Sequence, residues 1–174
     1  MNKVEKEPFM GIVALPSFPV VLVTVDENVM TAAAFHFYSF DPPHVMVGIR
    51  PQALTYQLIL KKHEFGINIP TTEQLDIVQT CGAISGREEN KFQKTGLTPN
   101  KGRVIDSVII EECPVSLECR VVHEVQFEGS HRWFIGEVVA AQVDEQYSRD
   151  QALMFWMRQY REVGKVLLEV EKRK

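Results

Sequence analysis

The hydrophobic positions of this chain fall mainly into short β-branched runs that are bounded by turn residues. The runs FPVVLVTVD at residues 18–26 and PPHVMVGIR at residues 42–50 are each typical of a strand with both faces largely buried. The run FGINI at residues 65–69 predicts a further strand, which Pro70 ends. Together the runs predict a core that is rich in sheet.

Two longer β-rich arms occur between residues 114 and 145. They flank Glu128-Gly129-Ser130, a turn sequence that predicts a hairpin. Each arm is longer than an average strand, so we expect a bend or a β-bulge in the hairpin.

Helical periodicity is confined to short segments. Residues 54–62 predict a helix that Thr55 caps, and residues 71–86 carry apolar side chains at the three-to-four spacing of an amphipathic helix. A helical turn is predicted at residues 90–95, and the tail from residue 149 combines a short helical pattern with a charged end. Because the strands and helices do not alternate as βαβ units, we predict a mainly β fold, an antiparallel barrel with peripheral helices.

The sequence shows no sign of a division into several domains. The sequence contains no internal repeat and no change of composition that would mark an interdomain linker. We therefore expect residues 1–174 to form a single domain.

Charge and cysteine content narrow the choice of partners and compartment. The 19 basic and 23 acidic residues give a net charge of -4, so a general attraction to nucleic acid or to an anionic membrane is not expected. The three cysteines form no CxxC pair, which favours small buried thiols in a reducing compartment. Neither a targeting segment nor an apolar run of ~20 residues is evident, and we expect a soluble, cytoplasmic protein.

Several catalytic classes have no motif in this sequence. The nucleophile elbow GxSxG, the phosphate loop GxxxxGK[ST] and the dinucleotide motif GxGxxG are all missing. Cys113, Cys119 and His123 lack the tight paired spacing of a zinc site, so we predict no metal.

Three isolated features allow both an ordinary and a functional interpretation. The run NVMTAAAF at residues 28–35 is compatible with close sheet packing, and equally with a flat ligand that lies against the backbone. Lys91 is by default a solvated lysine, and His131 is by default an exposed loop histidine. None of these features decides the function by itself.

Taken together, six segments resemble the flavin reductase-like family of FMN-binding split barrels, which includes flavoredoxins. They are NVMTAAAF, SFDPP, RPQALTY, NIP, CGAISGREENKF and GSHRWFIGEV, in the family's order and spacing. The resemblance covers residues 18–143, with a weaker match at residues 160–164. It implies a six-stranded antiparallel split barrel, and a homodimer that binds FMN noncovalently near its interface.

The resemblance also implies a set of flavin-site residues. Asn28, Thr31, Ala32 and Ala33 match the segment that lies against the flavin. Arg50, Thr55 and Lys91 match positions at the phosphate end, and His131 matches a histidine near the ring. The complete implied cofactor-binding set is Asn28, Met30, Thr31, Ala32, Ala33, Ala34, Ser39, Arg50, Thr55, Ser85, Gly86, Lys91, His131 and Tyr160.

One position departs from the family pattern. Many relatives carry a bulky aromatic or a polar residue at or beside Ala34, and a third alanine here implies a more open ring pocket or a different hydride donor. His131 is the predicted catalytic residue, because it is the best candidate to orient a substrate or to stabilise the charge of reduced flavin.

Three functions agree with the resemblance. The first is an oxidoreductase that passes electrons from NAD(P)H through FMN to an acceptor, with the isoalloxazine performing the chemistry. The second is an electron carrier that partner proteins reduce and oxidise. The third is an FMN-binding module without turnover.

Overall fold

The computed structural model describes residues 1–170, and strands make up most of its regular structure. The strands are β1 (Phe18–Pro19), β2 (Val21–Val25), β3 (Asn28–Ala32), β4 (Phe35–Phe40), β5 (Pro43–Ile49), β6 (Glu64–Ile69), β7 (Pro99–Lys101), β8 (Val108–Ile110), β9 (Val115–Val125), β10 (Arg132–Val143), β11 (Leu153–Trp156) and β12 (Gln159–Glu162). The helices are α1 (Pro8–Val13), α2 (Leu54–Lys62), α3 (Leu75–Ala83) and α4 (Lys91–Thr95), with 3-10 turns at Thr72–Gln74 and Arg149–Gln151. The mainly β prediction is confirmed.

The main sheet has seven antiparallel strands in the order β3-β2-β6-β9-β10-β5-β4. Its two edge strands, β3 and β4, are consecutive in the chain and are joined only by Ala33 and Ala34. Two residues span a short distance, so the sheet has to curl until its edges approach each other. The strand count is seven rather than the implied six, because the segment 28–40 divides at these alanines.

The β-branched run of β2 is buried on both faces, as its sequence predicts. Val21, Val23 and Val25 face an inner cluster inside the curled sheet, together with Ile49 and Phe65. The alternate side chains face an outer cluster that α3 and α4 cover, and its members include Val20, Leu22, Val29, Val78, Cys81, Phe92 and Leu153. Because successive side chains of a strand point to opposite faces, β2 contributes to both the inner and the outer cluster.

The predicted long hairpin is formed by β9 and β10. Its register shifts between Ile135 and Gly136 and again between Val138 and Ala140, which confirms the expected bulges. A Cβ atom on Gly136 would lie 2.6 Å from the ring of Phe65, so only glycine allows β10 to approach β6 this closely.

A buried carboxylate fixes the irregular segment that precedes β8. Glu118 of β9 is 1% exposed, and its carboxylate accepts hydrogen bonds from the backbone N–H groups of Arg103, Val104 and Ile105 at 2.9, 2.7 and 3.0 Å. Three donors replace the water that the carboxylate loses on burial. The segment is thereby held against the outside of the sheet.

The tail differs from its prediction. The helical pattern after residue 149 is wrong beyond one 3-10 turn, because β11 and β12 form a hairpin that pairs with β1. Apolar alternation at Leu153 and Phe155 lets this hairpin cover the outer cluster, which a single helical turn would not do. The part of the charged end at residues 171–174 lies outside the described residues.

The three cysteines are free and buried, as the sequence analysis expects. Burial raises the pKa of the Cys81 thiol to about 11 and that of Cys113 to about 12, and it raises that of Cys119 further still. None of the helices within residues 1–170 is long and apolar enough to cross a membrane.

Candidate functional site

Three elements meet around Asn28, the first residue of β3. Its Nδ2 atom donates a hydrogen bond of 2.9 Å to Oγ1 of Thr55 in the first turn of α2. The loop after α3 approaches from the other side, since a Cβ atom on Gly86 would clash with Oδ1 of Asn28 and would lie 3.1 Å from Cδ2 of Leu54. The structure thus brings together three of the predicted residues, which lie far apart in the sequence.

The N-terminus of α2 opens at this junction. The residue that precedes the helix is Ala53, and its methyl side chain cannot accept a hydrogen bond from the first turn. The expectation that Thr55 caps α2 is therefore wrong: Thr55 lies inside the helix, and its hydroxyl pairs with Asn28. The first turn carries no acidic side chain, so its N–H groups and the helix dipole favour an anion.

The loop after α3 is attached to α2 by an arginine that the sequence analysis did not single out. The guanidinium of Arg87 donates to the backbone oxygen of Gln52 at 3.1 Å and to Oε1 of Gln57 at 3.0 Å. The backbone N–H of Arg87 donates to the hydroxyl of Ser85 at 3.2 Å. The one available signal was its position inside the SGREENKF segment, next to the predicted Gly86.

Lys91 is buried rather than solvated. Its residue is 6% exposed, and Nζ donates a hydrogen bond of 2.7 Å to the backbone oxygen of Cys81 in the last turn of α3. Burial lowers the pKa of Lys91 from its ordinary value, and the neighbouring Cys81 opposes that shift. An ammonium at a helix C-terminus complements the negative end of the helix dipole, so Lys91 connects α4 to the end of α3.

The small residues form the seam of the curled sheet, which we define as Ala33 and Ala34. The preceding Thr31 donates from its hydroxyl to the backbone oxygen of Val78 at 2.5 Å, and this contact holds α3 against β3. Ala32 faces the inner cluster and Met30 packs against it. Ala33 and Ala34 are half-buried.

Arg50 and His131 are cross-strand neighbours. The β5–β10 register pairs Ile49 with Arg132, which places the two adjoining residues next to each other. Burial lowers the pKa of His131, and the positive charge of Arg50 lowers it further. The resemblance implied the phosphate end for Arg50 and the ring for His131, and the structure places these two residues side by side.

Two predicted residues lie apart from this group. Ser39 pairs with His44 at the turn between β4 and β5, whereas Arg50 follows the opposite end of β5. Tyr160 of β12 packs on Phe155 with ring centroids 4.7 Å apart and contacts the outer cluster. Their flavin contacts stay predictions.

Comparison with known proteins assigns the family. The family model described as the flavin reductase like domain matches residues 14–164. The chain belongs to the flavin reductase-like family. This confirms the family indicated by the six sequence segments.

Two relatives of this flavin reductase-like protein are uncharacterised. A protein of Archaeoglobus fulgidus is 40% identical over 112 residues, which are 64% of this chain and 63% of the relative. YddH of Escherichia coli is 33% identical over 133 residues, which are 72% of this chain and 70% of YddH. The match thus spans less than two thirds of the archaeal relative.

Solved structures of similar proteins share the whole architecture of this flavin reductase-like protein. Flavoredoxin of Desulfovibrio vulgaris (Miyazaki F) superposes with a TM-score of 0.82 at 29% identity, covering 95% of this chain and 97% of the flavoredoxin. Flavoredoxin of Methanosarcina acetivorans superposes with a TM-score of 0.85 at 25% identity, covering 97% of this chain and 95% of that protein. The split-barrel prediction is confirmed.

The residues of this flavin reductase-like protein fit a flavin phosphate and ring. The uncapped first turn of α2 offers N–H donors to an anion, and Arg50 adds an exposed guanidinium at the residue before the turn that leads into α2. A flat ring system needs small side chains beside it, and the two alanines of the seam directly follow β3, the strand that begins at Asn28.

Proposed function

We propose that this protein is an FMN-dependent oxidoreductase that passes electrons from a reduced nicotinamide through noncovalent FMN to an acceptor. The observation that carries the proposal is the junction of Asn28, Thr55 and Gly86 beside the open N-terminus of α2. Family membership supports a flavin as the ligand of that junction. When bound, FMN supplies the two-electron chemistry.

The protein's own groups bind and orient in this proposal. The first turn of α2 and the hydroxyls of Thr55 and Ser85 are the donors for the phosphate. Arg87 holds the loop in place by its bonds to Gln52 and Gln57. Lys91 is the second proposed phosphate cation, and its bond to Cys81 fixes where its ammonium lies.

His131 is the proposed catalytic residue. Its depressed pKa keeps the imidazole neutral at neutral pH, so one ring nitrogen donates and the other accepts. The hydroxyl of Ser130 lies 2.8 Å from Nδ1 and orients the ring. A neutral imidazole is suited to orienting a substrate and, by donating a hydrogen bond, to stabilising negative charge on a reduced ring.

Titration with FMN tests the binding half of the proposal. We expect a change in the visible absorbance of FMN, and tighter binding of FMN than of FAD, because the proposed donors suit a terminal phosphate dianion. Thr55→Val keeps the shape of the side chain but removes its hydroxyl. The substitution should weaken FMN binding about tenfold, which corresponds to a loss of ~1.4 kcal/mol in binding free energy. Thr98→Val, which changes an exposed threonine between α4 and β7, is the matched control. No spectral change with wild-type protein would refute the proposal.

A carrier function is the second candidate, since the protein superposes on a flavoredoxin at 29% identity. Anaerobic mixing of the FMN-loaded protein with NADH or NADPH separates the two functions. Rapid bleaching of the flavin absorbance supports the reductase. Bleaching only by a reduced electron-transfer protein supports the carrier, with partner proteins as both donor and acceptor.

A further inference from the structure

Trp133 of β10 lies directly beside the seam. It pairs with Gly48 of β5, and the N–H of Gly48 donates to the backbone oxygen of Ala34 at 2.7 Å. A Cβ atom on Gly48 would lie 3.0 Å from Cβ of Ala34 and 3.1 Å from Cε2 and Cζ2 of the indole. The indole and the Ala34 methyl therefore meet over a residue that has no side chain.

The indole belongs to the outer face of the sheet. Its neighbour Phe134 is buried in the inner cluster, and alternation along β10 turns Trp133 to the opposite side. The same alternation places His131, two residues earlier, on the side of Trp133, and Arg50 lies next to His131. Trp133 is half-buried, so part of its flat surface stays accessible.

These contacts combine a flat aromatic surface, two small residues and two polar groups on one face. Indole is a large, rigid surface that stacks on planar rings, and Ala34 with Gly48 leaves space for a ring to approach. A tryptophan that served only to fill the interior would be expected inside one of the two clusters, and Trp133 belongs to neither.

We propose that Trp133 is a ring-contacting, specificity-determining residue of the flavin site, which provides from β10 the aromatic surface that Ala34 does not. The inference rests on the proposed function, since it concerns the same site. In this inference, Trp133 contacts the ring system of the flavin and not its phosphate.

The test compares FMN with riboflavin, which has the same ring and no phosphate. Trp133→Leu should weaken the binding of both ligands by the same factor, about two- to twelvefold, because aromatic stacking is worth about 0.5–1.5 kcal/mol beyond area burial. Trp133→Phe should restore most of the affinity for both. Equal affinity of Trp133→Leu and wild type, or a loss for FMN alone, would overturn the inference.

Trp156 gives a matched control. It is the only other tryptophan of the chain, its indole donates to the backbone oxygen of Ile12 at 3.1 Å, and it packs edge-on against Phe18 in the smaller sheet. Trp156→Phe should leave both affinities unchanged, and its remaining tryptophan emission should be quenched by FMN and by riboflavin alike. Stronger quenching in Trp133→Phe than in Trp156→Phe would count against the inference.

Ligand-free thermal unfolding of every variant separates misfolding from lost contacts. If Trp133→Leu does not fold, the inference is still tested by comparing flavin quenching of tryptophan emission between Trp133→Phe and Trp156→Phe. A wild-type protein that binds neither flavin would refute the proposed function, and the inference with it. Binding by wild type with unchanged binding by Trp133→Leu would refute the inference alone.

Discussion

At the scale of single residues, the buried lysine is the strongest departure from ordinary sequence expectation. A lysine in a polar loop is normally solvated, yet Lys91 gives up its hydration for one bond to Cys81. Because the ammonium is held at the end of α3, its substitution should affect the protein even when no flavin is present.

We predict that Lys91→Met lowers the free energy of unfolding of the ligand-free protein by about 1.5 kcal/mol or more, because the Cys81 carbonyl loses a charged donor. Urea unfolding measures the change. Lys94→Met is the matched control in the same helix: Lys94 is 54% exposed and its bond to Glu89 is a surface ion pair, so its loss should cost under about 1 kcal/mol. Equal effects of the two substitutions would contradict the structural role of Lys91.

The same variant also tests the proposed phosphate contact. If Lys91 contacts the phosphate, Lys91→Met weakens FMN by about ten- to a hundredfold and leaves riboflavin nearly unchanged. Equal weakening of both ligands would mean that the substitution displaces the loop after α3 as a whole.

The pKa of His131 provides a second residue-scale prediction. Burial and the charge of Arg50 both lower this pKa, so removing the charge should raise it part of the way to its ordinary value while burial persists. NMR titration of the imidazole protons in Arg50→Gln measures the shift. Arg87→Gln, which removes a guanidinium bonded to α2, is the control and should leave the His131 pKa in place. An unchanged pKa in Arg50→Gln would show that the two residues do not interact.

At the scale of elements, the site depends on how closely the loop after α3 approaches β3. A glycine at residue 86 is required by space rather than by a turn conformation, since a side chain would meet Asn28 and Leu54. An added methyl group at residue 86 should therefore disturb the packing of this loop against β3, whereas one at Gly82 of α3 should not.

We predict that Gly86→Ala weakens FMN binding at least about tenfold, equivalent to ~1.4 kcal/mol, because the added methyl pushes the loop away from Asn28. Gly82→Ala is the matched control in α3, where the new Cβ would lie 3.4 Å from Cβ of Thr31, an ordinary contact. That control should bind FMN as wild type does and gain about 0.4–1 kcal/mol of stability. The comparison uses FMN titration and urea unfolding, and equal FMN affinities of the two variants would contradict it.

The buried carboxylate of β9 gives the other element-scale prediction. Glu118→Gln leaves one amide oxygen for three backbone donors and turns an NH₂ group toward them, so we expect a loss of about 1–3 kcal/mol in the free energy of unfolding. Asp106→Asn, an exposed carboxylate in the same segment, should change stability by less than about 0.5 kcal/mol. Urea unfolding of both variants decides, and a neutral Glu118→Gln would refute the role assigned to the carboxylate.

At the scale of the whole molecule, β4 is an edge strand with uncovered aromatic side chains. Phe37 and Phe40 stack with ring centroids 4.7 Å apart, and Phe40 is 84% exposed. Exposed apolar edges favour association, and the predicted homodimer would cover this one with a second copy.

We predict a mass of about twice 19.9 kDa by light scattering. The double substitution Phe37→Ser and Phe40→Ser should shift the mass toward the monomer, whereas Phe127→Ser, which removes an aromatic that is 77% exposed before the β9–β10 turn, should not. A wild-type monomer would refute the dimer. A dimer that survives the double substitution would place the interface elsewhere.

The sequence by itself determined the local structure and the family. Period-two runs located β2, β5, β6 and the long hairpin, because a strand buried on one or both faces must repeat its apolar positions every second residue. Ordered motifs indicated the flavin reductase-like family, because each of them reflects a short stretch of backbone. The tail was mispredicted, since residues 153–162 are too short for their period to separate a helix from a hairpin.

Only the tertiary structure decided which residues meet. The sheet register brings Arg50 to His131 and Trp133 to Gly48, and the loop after α3 brings Gly86 to Asn28. The seam has the same cause, since β3 and β4 become opposite edges only when the other five strands lie between them. Such contacts depend on the order of strands in space, which no periodicity within one strand records.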